Sequence, residues 1–238
     1  MKSLREILCL MKLEFINIKG KSLIPLIGIT LGMWVLSVFT LPHQALVTLV
    51  FAGLAVQPVF TIAEQTDSKL YGVLPVKKSS ISASRFALTF AVLAAMAVLC
   101  LILGSISEQL MLAERFDGTK EMTDFYNMLI DVNITLPAAT AIFFTLGCLF
   151  SSIEFFVLTV FGVAREIIMS IAFGGGLIAI LFAVVKIFDI DLNKTVNWLT
   201  PVLMDHRIEF ILCCIAIGIA ILAAVGAIAS AIYKRKEL

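Results

Sequence analysis

Two carboxylates, Glu154 and Glu166, are the residues best suited to acid–base or ion-handling chemistry in this chain. They flank a turn signal around Gly162, so they do not share one helix face as a general acid–base pair would. His43 and His206 are far apart, and neither belongs to an HExxH motif. The five cysteines, Cys9, Cys100, Cys148, Cys213 and Cys214, follow no CxxC or zinc spacing and read as small apolar residues. No GxSxG occurs, and no GxxxxGK[ST] phosphate loop. Gly174, Gly175 and Gly176 are adjacent, but they lie in an apolar run where they cannot cradle phosphate from water. The chain does not read as an enzyme, and no cofactor or metal is expected on it.

The elements that carry these residues are set by composition. The chain is 61% hydrophobic and 15% charged, against roughly 45–50% and about 25% in soluble domains. This marks an all-α integral membrane protein. A net charge of +1 gives no global field for nucleic acid. A crossing needs about 20 apolar residues, and six such stretches occur, at about 23–41, 45–63, 86–106, 131–156, 167–188 and 208–233. Together they form a single transmembrane domain over residues 1–238, with residues 107–131 as an extracellular connection. The first twenty residues carry charges throughout and lack the apolar stretch of a secretion signal.

Lys and Arg set the orientation. Lys2, Arg5, Lys12, Lys69, Lys77, Lys78, Arg85, Arg165, Lys234 and Arg235 are among those that fall on one side of a six-span path. The other side has only Arg115, Lys120, Lys186, Lys194 and Arg207. The positive-inside rule then puts both termini in the cytoplasm of a multi-pass plasma-membrane protein. Before the first span, Leu4, Ile7, Leu8, Met11, Phe15 and Ile18 recur at helical spacing, with Lys2, Arg5, Lys12 and Lys19 mostly opposite. Residues 1–21 therefore read as an amphipathic helix on the inner surface, its cations among anionic lipid head groups. It is either a simple anchor or a helix that moves with the first span.

Polar and small residues inside the spans mark packing or a pathway. Glu154 has two placements. A helix ending near Phe156 leaves it at head-group level. One continuing to Phe161 makes it intramembrane, lining a path or paired with Arg165. Gln57 and Pro58 suggest a kink in the second span, either a gate or a static bend. Gly28 and Gly32 form a GxxxG, and Gly174–Gly176 offer a similar flat face. These faces pack helices within one subunit or form a dimer seam.

Between the second and third stretches lies Lys69–Leu70–Tyr71–Gly72–Val73–Leu74–Pro75–Val76–Lys77–Lys78. Pro75 breaks any helix there, and Ser79 and Ser80 read as N-cap residues for the helix that follows. The wider pattern begins at Glu64 and Asp67 and closes on Ser84–Arg85–Phe86. Over residues 64–86 it resembles the cytoplasmic loop of ABC-2-type transporter permeases, the small six-span membrane subunits of bacterial ABC exporters. Within that group it is most similar to the phenol-soluble-modulin exporter subunits. A weaker echo is Phe161–Gly162–Val163–Ala164–Arg165, where such permeases often carry a more basic turn.

The resemblance implies an ABC-2-type exporter fold and a coupling helix in the 64–85 loop. It makes Glu64, Asp67, Lys69, Leu70, Tyr71, Lys77 and Lys78 the contacts with a separate cytoplasmic ABC ATPase subunit, which would hold ATP and Mg. It also implies a second permease copy or a similar permease as partner. The expected function is export of an amphipathic peptide or hydrophobic small molecule. The alternative is a non-transporting membrane scaffold or sensor that binds a cytoplasmic partner through the same loop.

Overall fold

The computed structural model describes residues 2–18, 23–37, 46–53, 78–109, 135–161 and 206–235, with isolated positions 172, 176, 183 and 186. Among the described residues there are helices and no strands. They are α1 (Lys2–Ile18), α2 (Ile24–Ser37), α3 (Val47–Ala52), α4 (Lys78–Gln109), α5 (Leu136–Phe161) and α6 (Arg207–Arg235).

Three stretches are long and apolar enough to cross a membrane: Ala83–Ser107 in α4, Leu136–Leu158 in α5 and Arg207–Ile232 in α6. At 1.5 Å per residue, the 25 residues of the first span about 37 Å. That exceeds the roughly 30 Å of a hydrocarbon core. These are the third, fourth and sixth expected spans. Apolar Ile24–Leu36 in α2 is shorter. Of the second expected span only α3 and its flanking residues are described. The fifth is described only at positions 172, 176, 183 and 186.

The helix α4 is the hub and touches each of the other five. Its Leu88, Val92, Leu93, Met96 and Cys100 form a core with Leu46 just before α3, Leu49 and Ala52 of α3, and Phe144, Cys148 and Phe155 of α5. Close approach is allowed by glycine. A methyl group on Gly147 would sit 2.6 Å from the Leu49 carbonyl oxygen, so α5 and α3 meet backbone to backbone there. A methyl on Gly53 would coincide with the Ser151 hydroxyl.

These contacts also fix direction. Gly104 meets Leu136 at one end of α4, and Phe86 meets Phe155 at the other, so α4 and α5 are antiparallel. Thr145 reaches the Cys214 carbonyl and Gly218 abuts Cys148, while Leu222 shares a pocket with Glu154 and Leu158. The helices α5 and α6 therefore run parallel.

Polar side chains tie helices where the surroundings are apolar. The Thr30 and Thr48 hydroxyls share a hydrogen bond of 3.1 Å between α2 and α3. The Trp34 indole N–H on α2 lies 2.8 Å from the Leu103 carbonyl and 2.7 Å from Ser107 Oγ on α4. In contrast, α6 turns Ile208, Leu212, Ile217 and Ile228 outward. An apolar surface of that extent calls for an apolar cover, from lipid or protein.

Three local expectations are corrected. The fourth helix covers 136–161 rather than 131–156. It starts where the Thr135 carbonyl accepts the Ala139 N–H at 2.9 Å, with Pro137 in the first turn, where a missing N–H costs nothing. It continues past Phe156 because Val157 and Leu158 are buried. Their burial outweighs the weak helix preference of β-branched residues. Secondly, Ser79 and Ser80 lie inside the first turn of α4 rather than at its cap, because the helix already begins at Lys78. Thirdly, α1 packs on α4 with its face rotated from the expected stripe: Leu10 and Glu14 point inward, while Leu8 and Phe15 are exposed.

Candidate functional site

Polar groups converge at the foot of α4, where the pattern read from the sequence ends in Ser84–Arg85–Phe86. Consecutive helical residues point about 100° apart, so these three do not all serve one neighbour. Ser84 and Arg85 face α1. The Ser84 hydroxyl shares its one proton between the Ile81 carbonyl at 2.8 Å and Glu14 Oε2 at 3.2 Å, and Arg85 Nε lies 3.4 Å from Glu14 Oε1. Glu14 is fully buried and Arg85 is 5% exposed. Ion pairs this deep carry a desolvation penalty of several kcal/mol per charge, which only close pairing and further hydrogen bonds offset. Phe86 faces the other way. Its ring centroid is 4.0 Å from that of Phe155 on α5, and it lies against Gly226 of α6, where a methyl group would come within 3.1 Å of the ring.

One helical turn further along α4 there is a small pocket. Phe86, Thr89, Ser151, Glu154, Leu158 and Leu222 contribute to its walls, with Gly53 at its edge. Thr89 and Ser151 donate their hydroxyl protons to carbonyls of their own helices, Arg85 at 3.0 Å and Gly147 at 2.7 Å. Their lone pairs and the half-buried Glu154 carboxylate make an acceptor-rich lining. Because α5 continues to Phe161, Glu154 lies within the helix and inside the Leu136–Leu158 apolar stretch, not at its end.

Among the described residues, no three His, Cys, Asp or Glu side chains gather as metal ligands. His206 Nδ1 and Glu209 Oε2 are 3.7 Å apart at the exposed start of α6, where Glu209 suits the positive end of the helix dipole. The cysteines described are free thiols.

Of the residues expected to contact an ATPase, Lys78 is the first of α4. Glu64, Asp67, Lys69, Leu70, Tyr71 and Lys77 lie outside the described residues, as do Gln57, Pro58, Gly174 and Gly175. Gly28, Gly32 and Gly176 face open space, so a methyl group on any of them would meet nothing within 4 Å. Packing against the described helices is therefore not what Gly28 and Gly32 do in one chain.

Glu14 is the residue that sequence reasoning missed. The signal was available: it stands one turn from Leu10 and two turns from Ile7 on a helix, and an acid among such neighbours requires a partner.

Comparison with protein families, with curated proteins and with solved structures gave no match.

Proposed function

We propose that this chain is the membrane-spanning permease subunit of an ATP-driven exporter, powered by a separate cytoplasmic ATPase. The observation that carries the reading is the continuity of α4. Its first residue, Lys78, belongs to the 64–86 pattern that resembles a coupling loop, and the same helix runs on through the apolar stretch Ala83–Ser107. A push that reaches Lys78 is then carried along one helix to the hub of the bundle. The parallel course of α5 and α6 supports six crossings. The chain between Phe161 and His206 has to return from one end of the bundle to the other, and the apolar stretch 167–188 is long enough in sequence to do so. Exposed Arg5 and Lys12, interleaved with exposed Leu8, Phe15 and Ile16 on α1, suit contact with an anionic membrane surface.

The chain supplies the path, and the ATPase supplies the work. The test is purification from native membranes in lipid nanodiscs. An associated chain bearing GxxxxGK[ST] is expected, with ATP hydrolysis that depends on the complex. Tyr71→Ala combined with Lys77→Ala should lower that association at least ~10-fold if both sit in a contact hot spot. Full association by a variant that still inserts would remove the loop from this role.

A further inference from the structure

We propose that Glu14 and Arg85, supported by Ser84, form a buried ionic latch that holds α1 and the foot of α4 as one body. The proposal stands on the geometry alone and does not require the chain to be a permease.

Among the described side chains of α1, Leu10 is buried and Met11 packs against the core, while Leu8, Phe15 and Ile16 face outward. The charges lie between α1 and α4, with Leu10 one turn before Glu14 and Leu88 close after Arg85 on α4, both nearly fully buried. In such surroundings an ion pair is little screened by salt or water. Pulling α1 away leaves Glu14 and Arg85 desolvated until water enters, so partial separation is the least favourable arrangement. The link is stiff for small displacements and opens as a unit. It also fixes register, because sliding α1 by one turn would set Glu14 against apolar side chains. The first span follows α1 in sequence, yet the latch ties α1 to a helix about seventy residues further on: Glu14 and Ser84 are 70 positions apart. A displacement of the membrane-surface helix is thereby delivered to α4.

The test is amide hydrogen exchange on the full chain in nanodiscs of phosphatidylethanolamine and phosphatidylglycerol. Glu14→Gln and Arg85→Gln should each speed exchange of α1 and of the first turns of α4 at least ~10-fold, leaving the middle of α6 unchanged. The charge-reversed pair E14R/R85E should bring exchange back to within ~3-fold of the parent, because the coupling is between the two charges. Ser84→Ala keeps the ion pair and should speed exchange in α1 by a smaller factor, about 3-fold. If the single-charge variants do not insert, recovery of insertion by the reversed pair reports the same coupling. The proposal is overturned if both single variants leave α1 exchange unchanged. It is equally overturned if the reversed pair is no better than the two single changes combined.

Discussion

Gly147 and the pair Gly28 and Gly32 make opposite demands on a methyl group. At Gly147 the added carbon falls 2.6 Å from a backbone oxygen of α3, and backbone cannot swing aside. Gly147→Ala should therefore destabilise the chain by about 1–3 kcal/mol, as overpacking does, read as a lower melting temperature in detergent. At Gly28 and Gly32 there is open space, and alanine favours a helix by about 1 kcal/mol over glycine. Gly28→Ala and Gly32→Ala should leave the melting temperature unchanged or slightly raised. A clear loss of stability there would mean that another surface covers this face. Glycines inside apolar helices thus separate only when the neighbours are known. Glu14 teaches the converse. Its place among apolar residues of α1 announced a buried partner, but nothing in the spacing selected Arg85 from the other cations.

The helix α5 shows how packing moves an element's end. Apolar residues continue beyond Phe156, and the sequence gives two equally apolar stopping points. Burial of Val157 and Leu158 selects the later one. Val157→Pro should then break a helix interior and cost about 3 kcal/mol or more. Unchanged stability and helix content by circular dichroism would place the end at Phe156 after all. The α2–α4 junction offers a second check. Trp34→Phe keeps the ring's bulk but removes the N–H shared by Leu103 and Ser107, and should cost about 0.5–1.5 kcal/mol. Hydropathy made α6 legible nearly to its ends and α4 over its apolar part, because long apolar runs with charged flanks leave little choice. It gave no sign that α1 leans on α4, since periodicity marks a face and not what covers it.

At the level of the bundle, α4 joins every other described helix and α6 lies mostly open, with 17% of its apolar stretch buried. Antiparallel α4 and α5, followed by parallel α5 and α6, put the start of α4 and the ends of α5 and α6 at one end, where α1 also lies. Reporters fused to the first and last residues should therefore read the same side of the membrane, and a reporter inserted near Lys120 should read the other. Opposite sides for the two termini would remove the six-span path. Composition and run length together marked the long apolar helices, because a backbone in hydrocarbon is satisfied only by helices or closed barrels and apolar runs of about 20 residues suit helices. Tertiary contacts alone decided which glycines touch backbone, where α5 stops and which cation answers Glu14. Those choices depend on side chains brought together from distant parts of the chain, and no local pattern of residues encodes that meeting.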